Sequence, residues 1–204
     1  MLARPVRLRS LLSILLVCAA WPAVAGPLED GLAAYKAEDF DAALRLLRPL
    51  AEQGEAPAQW GLGAMYSSGQ GVLFNPEAAV SWFRKAADQG HANSEFGLGV
   101  IYENGFGVQQ SNTEAMSWYR KAVDHGHAAA AYNLGVMYDD GIGIARDQVQ
   151  AHLWLSLAVA RLDAAQEGMM HEIAAETLRR ISAKMTPAQL AESARLANEW
   201  KPQP

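Results

Sequence analysis

Between residues 58 and 163 the apolar positions follow a helical rhythm that restarts every 36 residues. Gly61-Leu62-Gly63 recurs as Gly97-Leu98-Gly99 and again as Asn133-Leu134-Gly135. The same step relates Tyr66, Tyr102 and Tyr138, and the glycine pairs Gly69/Gly71, Gly105/Gly107 and Gly141/Gly143. It also relates Ala79, Ala115 and Ala151; Trp82, Trp118 and Trp154; and Ala86, Ala122 and Ala158. Columns this regular across three copies define an internal repeat, which outranks any short motif as a guide to architecture.

Each copy predicts two helices, A and B. In the first copy Leu62, Gly63 and Tyr66 fall on one face of A. Gly69-Gln70-Gly71 ends that helix, because glycine accepts the positive φ of a terminating turn. Asn75-Pro76-Glu77 opens B, with asparagine as N-cap, proline in the first turn and an acid at the positive helix end. Ala79, Trp82, Phe83 and Ala86 then form an i, i+3, i+4, i+7 stripe, and Gly90 closes the unit. Small residues at Gly63 and Ala79 are expected to let A and B approach, with the tryptophans filling the space between units.

A shorter unit precedes these copies, over residues 26–57. Ala43, Leu46 and Gly54 stand 36 residues ahead of Ala79, Trp82 and Gly90, but the double-glycine insert is missing. Such a contracted unit suits the end of an array. After the repeats, residues 164–204 predict two capping helices. The first spans Ala164 to Lys184, with Met170, Ile173, Thr177 and Ile181 on one side. The second opens at Thr186-Pro187-Ala188-Gln189, a capping-box start, and continues through Leu190, Ala194, Ala197 and Trp200. The fold expected is therefore all-α, a solenoid of two-helix repeats with a C-terminal helical cap and no strand.

The N-terminus is of another kind. Arg4, Arg7 and Arg9 precede an apolar run from Leu11 to Ala20, and Ala23-Val24-Ala25 follows. Charge, apolar run and a small-x-small triplet in that order read as a signal peptide over residues 1–25, cleaved after Ala25. The run is shorter than the roughly 20 residues that span a bilayer, and no membrane insertion is expected after cleavage. Cys18 would leave with the leader, and with it any disulfide or thiolate chemistry, because it is the one cysteine. The remaining 179 residues would carry 14 basic and 22 acidic side chains, net −8. That balance disfavours nucleic acid and anionic membranes as partners. The address expected is export, to the periplasm or beyond it.

The repeated residues resemble the Sel-one-like repeat family, a relative of the tetratricopeptide repeats. Helix A of that family reads A-x-x-x-L-G-x-x-Y, its loop G-x-G-V and its helix B A-x-x-W-x-x-x-A. The match lies in Leu62 to Tyr66, Gly69-Gln70-Gly71-Val72 and Ala79 to Ala86, and again in Leu98 to Ala122 and Leu134 to Ala158. It covers roughly residues 58–163, while residues 28–57 look more like a plain tetratricopeptide unit. The resemblance implies an adaptor. A cysteine-rich branch of the family is linked to β-lactam binding, and this chain lacks those cysteines.

Motifs that could carry chemistry have simpler readings. Gly61-x-Gly63 lies inside a helix, whereas a phosphate-binding loop follows a strand. His125-Gly126-His127 has too few further ligands for a metal site, and His127 shares a repeat column with His91 at a helix start. Asp139-Asp140-Gly141 lacks the twelve-residue calcium pattern. No serine sits in a nucleophile elbow. Neither a catalytic centre nor a cofactor is expected.

What remains is a surface. On the side of A away from Leu62 and Tyr66 stand Trp60 and Ala64, then Phe96 and Val100, then Tyr132 and Val136. If the array curls, these line its concave wall, rimmed by Glu103, Asp139 and Asp140. Aromatic anchors inside a polar rim suit protein or peptide binding, and an acidic rim favours a partner with a basic segment. The same column could instead pack between units. The function expected is an exported protein-binding scaffold acting as a monomer. The alternative is a hydrolase acting on cell-wall peptides or β-lactams.

Overall fold

The computed structural model describes residues 26–162 and 167–202. The predicted leader with Cys18 lies outside the described residues, as does the start of the helix expected from Ala164. Among the described residues there are ten α-helices and no strand. They are α1 (Pro27–Lys36), α2 (Phe40–Glu52), α3 (Ala56–Ser68), α4 (Pro76–Ala87), α5 (Ala92–Asn104), α6 (Asn112–Asp124), α7 (Ala128–Asp140), α8 (Gln148–Arg161), α9 (Gly168–Ser182) and α10 (Pro187–Glu199).

The boundaries follow from caps that recur with the repeat. Asn75, Ser111 and Asp147 occupy one column, and each side chain accepts a backbone N–H in the first turn of α4, α6 or α8. Each cap satisfies a donor that the helix itself cannot, worth about 1 kcal/mol. Helices α3, α5 and α7 all end on a left-handed glycine, with Gly69 at φ 70°, Gly105 at 74° and Gly141 at 73°. The second glycine of each loop serves close approach. A Cβ at Gly107 would lie 2.7 Å from the carbonyl carbon of Pro76, so the loop of one unit rests on the first turn of helix B in the unit before.

Small residues let the paired helices meet. A Cβ built on Gly63 would fall 2.6 Å from Phe83, one on Gly99 2.4 Å from Tyr119 and one on Gly135 2.6 Å from Leu155. The tryptophans reach across to the preceding unit, as expected. Trp82 packs on Leu47 and Leu62, Trp118 joins Ala79, Phe83 and Leu98, and Trp154 joins Ala115, Tyr119 and Ala122. Burying each large apolar side chain contributes about 1.5–3 kcal/mol.

Order along the chain is order in space: α1 pairs with α2, α2 with α3, and so on to α8. In addition α1 touches α3, α3 touches α5 and α7 touches α9, whereas no two B helices of the repeats come as close. From α1 to α5, and at α7 and α9, the A helices therefore lie nearer to one another than the B helices do, which makes their row the inner wall there. After the repeats α9 and α10 both pack on α8, capping the last unit. The expected stripes of α9 and α10 largely hold, with Met170 and Ile181, and Leu190, Ala197 and Trp200, on the packed side, and one residue of each falls outside. Ile173 is 44% exposed while Ala174 is buried, and Ala194 is exposed while Ser193 is buried. At those two positions the contacts with α8 take the adjacent residue, Ala174 or Ser193, instead.

Candidate functional site

Trp60, Ala64, Phe96, Val100, Tyr132 and Val136 all lie on the A helices, and each is half-buried. The inner wall thus carries one aromatic and one small apolar side chain per repeat. The aromatic side chains also join successive units. Trp60 meets Tyr35 of α1 edge-on at 5.8 Å and His91 at 6.1 Å. Phe96 stacks flat on His127, with centroids 4.2 Å apart and planes 12° apart, and lies 5.7 Å from Tyr119. Tyr132 packs against the C-terminal cluster.

His91 and His127 are the N-cap residues of α5 and α7. Nδ1 of His127 accepts from the Ala130 N–H at 3.3 Å, and Nδ1 of His91 lies 3.0 Å from Ser94 Oγ. Burial lowers the pKa of both rings below the usual histidine value; Glu167 opposes that at His127. Each ring therefore joins the aromatic residue one unit back as a neutral platform. Sequence reading placed these histidines at helix starts but not in the aromatic row; their place immediately after Gly90 and Gly126 was the available signal.

The expected acidic rim is thinner than predicted. Asp139 is 5% exposed, and its carboxylate holds Arg180 of α9 at 3.1 Å. The carbonyl of Asp139 accepts from Arg146 Nε. Glu103 is half-buried and accepts the Tyr119 hydroxyl at 2.5 Å, an arrangement that, with burial, pushes the tyrosine pKa up. Of the three acids, Asp140 is the exposed one. Sequence reading also missed the wall's continuation on α9, where Met169 (79% exposed) and Ile173 border a cleft with Ala129.

The chemical motifs singled out from the sequence have structural places. No group of three or more His, Cys, Asp or Glu side chains able to hold a metal occurs among the described residues. His152 Nδ1 lies 2.9 Å from Ser193 Oγ, but Ser193 is fully buried between α8 and α10, out of reach of a substrate. Gly61 and Gly63 face Leu47 and Phe83 inside α3, so they cradle side chains and not a phosphate.

Stacked helix pairs with a side-chain wall on one row define an α-solenoid. The chain belongs to the Sel1 repeat family, whose Sel1 repeat matches residues 26–55, 56–91, 92–127 and 128–161. The contracted first unit is thus a Sel1 repeat as well, a relationship its missing glycine loop had concealed. Among solved structures, a Sel1 repeat protein from Oxalobacter formigenes is 36% identical over 66% of this chain and 56% of its own, with a TM-score of 0.61. Another is c5321 of uropathogenic Escherichia coli, a protective antigen with an SLR fold. It is 27% identical over 85% of this chain and 45% of its own, with a TM-score of 0.55. The chain thus spans about half the length of these relatives. Comparison with curated proteins gives no match. Sel1-like repeat proteins generally mediate protein–protein interaction, and they are typically non-enzymatic scaffolds.

Proposed function

We propose that this chain is an exported adaptor or regulator that binds a segment of another protein along the inner wall formed by its A helices. The observation that carries this reading is the repetition of one half-exposed aromatic residue and one half-exposed small apolar residue on successive A helices. Trp60, Phe96 and Tyr132 supply rigid anchor surface, and Ala64, Val100 and Val136 leave room between them for the incoming side chains. Met169 and Ile173 extend the wall, and methionine adapts to partners of differing shape. Asp140 favours a basic residue on the partner at one margin. The Arg4–Ala25 leader pattern supports export, with the periplasm as the compartment.

Photocrosslinking in cells tests this. A photoreactive residue at Ala64 or Val100 is expected to give a discrete protein adduct identifiable by mass spectrometry, while one on the outer face, at Ser81, gives none of that mass. The absence of an adduct at both wall positions would overturn the reading.

A further inference from the structure

The methionines among the described residues fall into three grades of exposure. Met65, Met137 and Met185 are buried, at 0%, 1% and 8%. Met116 and Met170 are half-buried against the C-terminal core cluster. Met169, at the second position of α9, is 79% exposed. It stands one turn from Ile173, and with Ala129, Glu167, Gly168 and Met170 the two line an open cleft of about 380 Å³. The start of the helix is open as well, since a Cβ built on Gly168 would meet nothing within 4 Å.

A thioether reacts with peroxides where they reach its sulfur. A sulfur lone pair attacks one peroxide oxygen, and an S–O bond forms as the O–O bond breaks. The sulfur loses two electrons, and the proton of the transferred oxygen passes to the departing hydroxide, which leaves as water. At Met65 or Met137 the same step requires the core to open, because close packing leaves no room for the oxygen. At Met169 it requires nothing of the fold.

The product changes what the cleft offers. A sulfoxide is a polar acceptor where the thioether was apolar. No lining side chain is a donor: alanine, glycine, methionine and isoleucine have none to give, and Glu167 as a carboxylate only accepts. An apolar group of a partner seated on the cleft would therefore cover the new oxygen without a side-chain donor for it.

We infer that Met169 is an oxidation site for peroxides, the first of the described methionines to react, and that its sulfoxide releases a partner held at the α9 end of the inner wall. The site follows from the exposure of the sulfurs, whereas its effect on binding rests on the inner-wall reading.

Graded hydrogen peroxide on the purified protein, followed by peptide mass mapping, tests the site. Met169 is expected to gain one oxygen at least about tenfold faster than Met116 or Met170. Met65, Met137 and Met185 stay unreacted while the fold holds. Met116 or Met170 reacting as fast as Met169 would overturn the inference. Photocrosslinking from Ala129 in cells tests the effect. Peroxide is expected to reduce the adduct about tenfold. The M169L variant keeps the apolar bulk without the sulfur, so its adduct persists, and M169Q loses the adduct with no peroxide added. Melting curves check that both variants fold. Equal loss in M169L, which would place the oxidation on the partner, or an unchanged adduct in oxidised wild type would overturn the effect. So would the absence of an adduct from Ala129 beside a clear one from Val100. No adduct from Ala64, Val100 and Ala129 alike would instead defeat the inner-wall reading, and with it the effect, while the order of oxidation still decides the site.

Discussion

Glu95 and His125 are 30 residues apart in sequence and meet at 2.8 Å, Nδ1 to Oε2, where α5 begins and α6 ends. The carboxylate is 1% exposed. The same two columns in the preceding unit hold Gln59 and Gln89, also hydrogen-bonded, at 2.9 Å. In the following unit they hold Ala131 and Arg161, and there the arginine reaches the Val123 carbonyl at 3.2 Å. In two units one position is thus a polar tie between the start of A and the end of B, built from different chemistry each time, and in the next the arginine ties the ends of two successive B helices instead. Removing the partner by His125→Ala leaves a buried carboxylate without it, at about 1–3 kcal/mol. His125→Gln, which copies the preceding unit, is expected to recover most of that in urea denaturation.

Two neighbouring glycines should respond oppositely. At Gly99 an added Cβ would come within 2.4 Å of the Tyr119 ring, so Gly99→Ala forces the α5–α6 pair apart at about 1–3 kcal/mol. At Gly97 the nearest atoms, in Phe83, are 3.5 Å away, an ordinary contact. Gly97→Ala is therefore expected to be neutral or to stabilise by up to about 1 kcal/mol through helix propensity. Thermal unfolding of the two variants measures the difference.

Acid should destabilise the fold through its histidines. Burial lowers the pKa values of His91, His127 and His152 from 6.5. The unfolded chain binds protons at these rings near the ordinary value, before the folded chain does. It therefore holds more protons in that window, and stability rises with pH there. The contribution is complete above about pH 7 and is lost as pH falls through 6.5 toward the folded values. The unfolding midpoint should drop between about pH 7.5 and about pH 5, and His91→Gln with His127→Gln should flatten the slope. A midpoint that rises on acidification would contradict this.

The C-terminal cap is anchored at its far end. Trp200 meets Trp154 edge-on at 6.4 Å and carries the Arg161 guanidinium over its ring at 4.3 Å. Trp200→Ala is expected to cost about 1–3 kcal/mol and to raise hydrogen exchange in α10 more than in α3.

The repeat was legible because each column answers a local demand. Gly63 and Gly99 must be small where A meets B, Gly69 must take a positive φ, and Asn75 must cap. All three requirements act within one unit, so a 36-residue comparison finds them. The capping box at Thr186 and Gln189 was equally local, and both of its hydrogen bonds are present. What sequence missed lies between units or beyond the repeats. Nothing near Asp139 announces Arg180, which is 41 residues away on a non-repeating helix, so an acid assigned to the rim proves to be a buried tie. The stacking of Phe96 on His127 likewise joins the middle of one A helix to the start of the next. Ile173 and Ala194 were misplaced on otherwise correct faces of α9 and α10, because no second copy of either helix exists to reveal which positions α8 selects.

The central claim is that the A-helix wall binds a protein segment and does not serve packing alone. Its most direct test is photocrosslinking from Val100 with Val136 replaced by glutamate, next to a melting curve of the same variant. Val136 is half-buried on the inner wall, so a charge there should abolish the adduct while the melting midpoint stays within a few degrees of wild type. An adduct that persists beside Glu at position 136, or one lost only together with the fold, would contradict the account.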